Sequence, residues 1–183
     1  MTNQQTAIQI KSEDQEVTIT FEDVKRYLCP DCTDAEIGLF LKVCASEGLN
    51  PFRKDCFLVK YGEDQPASTI ISTNVFIRSA ESNPQFDGYE AGIILKPVDP
   101  KDKPEFREGA FLLDGEENRL AGGYAKVFRK DRQQHPFYTA VNIRECMKYT
   151  KYGKPTRFWD DMPATMVRKV ALSRALREAF SLR

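Results

Sequence analysis

The sequence predicts an α+β fold in which helices flank a strand-rich antiparallel core. Three observations predict it. Residues 33–48 join a helix start, a helical apolar period and a glycine stop. Between residues 56 and 141 lie six short runs rich in β-branched and aromatic residues, separated by turn residues. Residues 163–182 then form one long helical pattern with alanine and leucine on its apolar side.

Residues 1–17 are polar, offer little to bury and are expected to be a flexible arm ahead of a single domain spanning 18–183. Residues 21–28 form a short helix candidate with Val24, Tyr27 and Leu28 on one side. Cys29-Pro-Asp-Cys32 has the spacing of half a zinc site, but no second pair follows and the βαβ context of a redox motif is missing. It reads as a turn ahead of the next helix. There Thr33 and Glu36 make a capping box, and Ile37, Phe40, Leu41, Cys44 and Ala45 follow at helical spacing. Gly48 ends that helix and Pro51 forbids its continuation. Strands are predicted over 56–61, 67–72, 89–95, 110–113, 124–128 and 137–141, with a short helix over 74–82. The stretch 97–109, PVDPKDKPEFREG, is charged and proline-rich and reads as a long loop or hairpin tip. Residues 142–148 predict a short helix, and Pro163 suits the first turn of the last one.

A chain of 183 residues can bury a real core, and 41% hydrophobic with 30% charged residues is ordinary globular composition. No run of about 18 apolar residues offers a membrane span, and the N-terminal residues lack the basic-then-apolar layout of a signal peptide. Five cysteines without an export signal fit a reduced, cytoplasmic compartment. The formal net charge of zero hides a gradient. Residues 1–50 carry nine acids and four bases, 51–125 thirteen and nine, and 126–183 five and fourteen, so the last third has a net charge of +9. A basic third on a neutral chain points to a polyanion, against the plain alternative of a solvated surface.

Several chemistries lack their residues. No G-x-x-x-x-G-K-[ST] is present; Gly153-Lys-Pro-Thr156 lacks the glycine five positions earlier and has Pro where the helix should begin. His135 is the only histidine, so neither a catalytic triad nor a His-rich metal site can be assembled. The pairs Asp87/Glu90 and Asp160/Asp161 lack the neighbouring carboxylate-x-Lys of many metal-dependent nucleases, and Asp87-Gly88 reads as a turn device. Nuclease activity stays a minority reading.

Basic residues concentrate where a buried helix is expected. In RFWDDMPATMVRKVALSRALREAF, residues 157–180, Met166, Val170, Arg174 and Arg177 share one sector at about 100° per residue. Ala171, Leu172, Ala175, Leu176 and Ala179 cover the other side. One face then builds the core while Arg174 and Arg177 meet phosphate. Upstream, Phe128-Arg-Lys-Asp-Arg132 ends a strand with Arg129, Lys130 and Arg132. Arg144, Lys148, Lys151, Lys154 and Arg157 follow, interleaved with Tyr149, Tyr152, Phe158 and Trp159. This mixture suits single-stranded nucleic acid, because cations track phosphates while rings stack on bases. The alternative makes Tyr149, Phe158 and Trp159 packing residues, and for Trp159 that is the favoured reading.

Gly48-Leu-Asn-Pro-Phe52 with Lys54-Asp-Cys-Phe57, then Asn83-Pro-Gln-Phe-Asp-Gly88, Arg129-Lys-Asp-Arg132, Trp159, Met166-x-Arg-Lys-x-Ala171 and Arg177-x-Ala-Phe180 occur in that order. The ordered set resembles the phage single-strand annealing recombinases of the Bet/Redβ–RecT family, its Bet members most of all, over most of residues 33–180. The resemblance implies a long C-terminal helix beside a basic DNA groove. It implies an ATP-independent, non-catalytic protein that binds single-stranded DNA (ssDNA) and holds the annealed duplex intermediate during homologous recombination. Assembly into a homo-oligomeric ring or helical filament belongs to the same expectation. So do the absence of a required cofactor, magnesium as a modulator of DNA binding, and the cytoplasm of a bacterial host. A phage exonuclease and a host single-strand-binding protein are the implied partners, through a C-terminal region that the resemblance places beyond Arg183 and outside this sequence.

Carried over position by position, Lys54, Arg129, Lys130, Lys148, Lys151 and Arg177 are the implied backbone contacts, joined by Lys169. Arg168 also matches a basic position but projects to the alanine side, so a structural, subunit-contact or DNA role stays open. The charge pattern adds Arg132, Lys154, Arg157 and Arg174 to the DNA-binding set. Where Bet proteins have basic residues, this helix has Ala164 and Val170, with Arg174 on the Val170 side as compensation. The 97–119 segment is longer than in Bet. The other readings are a passive ssDNA-binding protein, whose five-stranded OB barrel is not evident here, and the metal-dependent nuclease.

Overall fold

The computed structural model describes residues 7–12, 15–62 and 65–182, the side chains of residues 11, 12 and 15 apart. It divides into two compact units, Met1–Ser72 and Thr73–Arg183. The first unit opens with an antiparallel hairpin of β1 (Ile8–Ser12) and β2 (Gln15–Ile19) in place of the expected arm. Residues 1–6 of that arm lie outside the described residues. The hairpin forms because a period of two is present beneath a polar composition. Ile8, Ile10 and Ile19 are buried, while Gln9, Glu16 and Thr18 face water.

Thr20 and Asp23 cap α1 (Phe21–Asp23), which runs into a π-helical turn over Val24–Leu28. The predicted capping box starts α2 (Asp34–Glu47): Thr33 Oγ1 accepts from Glu36 N–H, and Glu36 Oε2 accepts from Thr33 N–H at 2.7 Å. Gly48 ends the helix in the left-handed region at φ 64°, a conformation that costs glycine little. Ile37, Phe40, Leu41 and Cys44 form the buried stripe. The Glu36 carboxylate also accepts from Ala67 N–H at 2.8 Å and from Lys60 Nζ at 3.1 Å. It thereby ties the start of α2 to the hairpin of β3 (Cys56–Val59) and β4 (Ser68–Ile71).

The cysteines depart from the reduced-thiol expectation. Cys29-Pro-Asp-Cys32 is the predicted turn, but it is closed by a disulfide between Cys29 and Cys32, whose Cα atoms lie 5.4 Å apart. Cys44 and Cys56, isolated in the sequence pattern, meet in the core with their Sγ atoms 3.5 Å apart.

The second unit begins with α3 (Thr73–Glu81) and builds a four-stranded antiparallel sheet in the order β6-β5-β7-β8. Its strands are β5 (Phe86–Leu95), β6 (Glu105–Glu108), β7 (Leu120–Arg129) and β8 (Phe137–Asn142). The short helices α4 (Ile143–Cys146) and α5 (Arg157–Asp161) precede α6 (Pro163–Phe180). Register places Ile93, Gly123 and Val141 side by side, with Ala91 and Ala125 in the next row. Helix α6 lies across this face and buries Ala164, Val167, Ala171, Leu172, Ala175, Leu176 and Ala179. A Cβ on Gly123 would stand 2.7 Å from the Val167 carbonyl oxygen. The helix backbone therefore rests on β7 itself.

The strand expected over 110–113 is absent, and β6 lies inside the stretch read as a loop. Its alternating charges hid it. Arg107 pairs with Glu105 and Glu116, while Arg119 reaches Glu116 at 2.8 Å and Glu105 at 3.0 Å. Charged edges of this kind block further strand pairing. The apolar run that suggested a strand leaves Phe111 and Leu113 exposed in a loop.

Two outcomes test this architecture. The Thr33 N–H bond, then that of Ala67, holds the Glu36 carboxyl at about 2, against an ordinary 4.5. The folded value lies below the unfolded one, so the carboxylate stabilises the fold above about pH 4.5 and that contribution fades as pH falls toward 2. Glu36→Gln should therefore lower Tm at pH 7, with the gap from the parent narrowing on acidification in melts followed by circular dichroism. Gly123→Ala should cost about 1–3 kcal/mol in urea unfolding, because α6 must lift off β7 to admit the methyl group.

Candidate nucleic-acid interface

Four of the fourteen basic residues of the last third, Arg168, Lys169, Arg174 and Arg177, lie on α6. Its 18 residues span about 27 Å. At its C-terminal end stands Arg129, the last residue of β7. The Arg129 guanidinium embraces the Asp131 carboxylate at 2.9 and 2.6 Å. It also donates to the Ala179 carbonyl at 2.6 Å and lies 5.3 Å from the Phe180 ring centre. A cation on the last carbonyls of a helix satisfies acceptors that have no intrahelical partner and complements the helix dipole. Arg129 therefore pins α6 to β7, a structural contact that the sequence reading, which expects it to meet phosphate, did not include. Lys130 and Arg132, in the turn after it, are exposed, and Arg132 stands over the Phe137 ring at 4.6 Å.

On α6 itself, Arg174 and Arg177 are exposed as the periodicity predicts, and so is Lys169, which the resemblance supplied. Arg177 leans over Phe76 of α3 at 5.7 Å, beside the Thr73–Ser173 hydroxyl contact of 3.0 Å that fixes α3 on α6. Burial pushes the thiol of Cys146, on α4, up, and the charges of Arg174 and Lys148 oppose that shift. Arg168 has a structural contact, donating through Nε to the Ala91 carbonyl of β5 at 3.1 Å.

Between α4 and α5 the chain makes a small hairpin. Tyr149 and Pro155 bridge antiparallel, with Thr150 N–H on the Lys154 carbonyl at 2.8 Å and Thr156 N–H on the Lys148 carbonyl at 2.8 Å. Gly153 turns its tip at φ 74°. Lys148, Lys151 and Lys154 are exposed on it, as is Arg157 at the start of α5, where Asp161 lies 3.4 Å away one turn on. Trp159 is buried, as its packing reading predicts, but Tyr149, Tyr152 and Phe158 are exposed.

Lys54 belongs to the first unit and sits on a locally built turn. Buried Asn50 accepts Phe52 N–H and Arg53 N–H on its side-chain oxygen, while the Asp55 carboxylate accepts Asn50 N–H. The turn holds Lys54 at φ 61°, a left-handed value that is unusual outside glycine. It also exposes Phe52 and Arg53, which sequence reasoning did not single out as site residues. The Asn-Pro dipeptide was the available signal.

Among the described residues, no group of three or more His, Cys, Asp or Glu side chains gathers to hold a metal ion. Glu90 is paired with Lys126 at 3.0 Å. No described helix is long and apolar enough to cross a membrane.

Residues 14–183 match the family model of the RecT family. No curated protein matches the chain.

Arg129 and Lys130 should separate in thermal melts. Arg129→Ala and Arg129→Lys should both lower Tm, since neither side chain can hold Asp131 and Ala179 together. Lys130→Ala should melt with the parent.

Proposed function

The chain belongs to the RecT family, and from that membership we propose an ATP-independent single-strand annealing protein that binds ssDNA and promotes pairing of complementary strands in homologous recombination. The observation that carries the reading is the row of exposed cations along α6 and its flanking hairpin: Lys148, Lys151, Lys154, Arg157, Lys169, Arg174 and Arg177. Lys130 and Arg132 extend it past the end of the helix, and Lys54 is a further contact on the first unit. Each phosphate engaged releases condensed counterions, so binding weakens steeply with salt.

The mechanism is positional. Phosphates of a first strand lie along the cations, which lowers repulsion toward an incoming strand. Sequence is read by the complementary strand, and the annealed duplex is the product. No bond is made or broken, and no nucleotide is hydrolysed. Successive copies in a ring or filament extend the paired region along the DNA. In the cytoplasm of a bacterial host, a phage exonuclease supplies the single strand, and the host single-strand-binding protein is the partner it must displace.

Two complementary oligonucleotides, one labelled, should pair faster with protein than without it, in the absence of ATP, and both should remain full length on a denaturing gel with or without magnesium. Binding without acceleration would assign a passive ssDNA-binding protein, and shortened strands a nuclease. Arg174→Ala and Arg177→Ala should each reduce the slope of log affinity against log salt by about 0.7. An unchanged slope in a normally folded variant removes that arginine from the contact set.

A further inference from the structure

We infer that the hairpin between α4 and α5 grips unpaired nucleobases as well as phosphates, with Tyr152 at its tip as the stacking platform. The inference deepens the ssDNA reading above and rests on it. Burial in this stretch is selective. Tyr152 is 78% exposed, Phe158 59% and Tyr149 51%, whereas Trp159 in the same stretch is 4% exposed. The core takes one ring and leaves three in water. The hairpin does not need Tyr152 for its own shape, which is set by the Tyr149–Pro155 bridge, its backbone hydrogen bonds and Gly153.

Charge says what the rings face. Residues 147–159 contain Lys148, Lys151, Lys154 and Arg157 and no carboxylate. Of the other exposed rings of the second unit, Phe111 lies in the loop after β6, whose backbone Glu116 holds at Leu113, and Phe106 and Tyr138 lie on the side of the sheet that carries Tyr124. There Phe106 meets Tyr124 edge-on, and two carboxylates, Glu90 and Glu108, share that side with the cation Lys126, which pairs with Glu90 at 3.0 Å. That side therefore lacks the surplus of positive charge that the hairpin offers a phosphate chain. The hairpin combines rings with uninterrupted positive charge. Lys151 Nζ sits 5.3 Å from the Tyr152 ring centre and leaves the opposite ring face to a planar ligand. The bridged backbone presents Tyr152 before the ligand arrives, so only its side chain has to be ordered on binding. Every base has a π face, so the platform takes any base and reads no sequence.

Phosphate contacts and stacking separate by salt. The test titrates the full chain with oligo-dT and with an abasic oligomer of the same length, across a salt series. The parent should bind oligo-dT more tightly than the abasic chain. Tyr152→Leu should lose about fivefold or more of its affinity for oligo-dT, with the salt slope unchanged and abasic binding untouched. Tyr152→Phe should restore the parent behaviour, since the ring and not the hydroxyl stacks. A parent that binds both oligomers equally overturns the stacking alone, and a parent that binds neither overturns the ssDNA reading with it. A Tyr152→Leu chain that binds oligo-dT like the parent but sediments as a smaller species makes the hairpin a protein contact and also overturns the inference.

Discussion

Helix α6 rests on β7 with no side chain between Val167 and Gly123, and this close approach orders the rest of the second unit. It requires small residues on the helix, which is why Ala164, Ala171, Ala175 and Ala179 line the buried side. Alanine buries little area, so most of the apolar stabilisation comes from Val167, Leu172 and Leu176, each worth about 1.5–3 kcal/mol on full burial. With its orientation fixed, Arg168 falls against the Ala91 carbonyl and Arg129 against that of Ala179. The opposite side of the helix is thereby committed to α3 and to water, and it is there that the cations accumulate.

Two kinds of arginine share the unit, and their surroundings separate them. Arg107 and Arg119 are each bound to Glu105 and Glu116, a network that fixes the 97–119 segment on the sheet edge. Arg129 is likewise occupied by Asp131 and a helix terminus. Lys169 and Arg174 project into water instead, and Arg177 is exposed as well, while lying over the Phe76 ring and donating to the Leu182 carbonyl at 3.5 Å. Exposed like charges cost little there, because solvent and salt screen them. They become valuable only when a polyanion displaces the small counterions.

The parts legible in sequence were those decided locally. Thr33, Glu36 and Gly48 each act within one helical turn, and the alanine face of α6 is a matter of spacing alone. What escaped was decided elsewhere in the chain. β1 and β2 alternate only over five residues each, too short for their isoleucines to outweigh a polar composition. β6 was masked by glutamates and arginines whose partners lie up to 14 residues away in sequence. The structural role of Arg129 depends on a carbonyl 50 residues downstream. Spacing put Arg174 and Arg177 one turn apart on the exposed side of α6, but the packing of Arg177 over Phe76 depends on α3, about 100 residues earlier in the chain.

Phe158 and Trp159 show why composition cannot sort packing rings from binding rings. They are adjacent on α5 and so point about 100° apart, one exposed to water and one buried. A platform that stacks bases also has a bearing on annealing. A base held too tightly would be lost to its complement. Stacking on an aromatic ring is worth about 1–3 kcal/mol, and a duplex stacking step about 1.4 kcal/mol. The two are of the same order, so a base can wait on the hairpin and leave it when its complement arrives. Phosphate contacts, which do not change when the base pairs, keep the strand in place during the exchange.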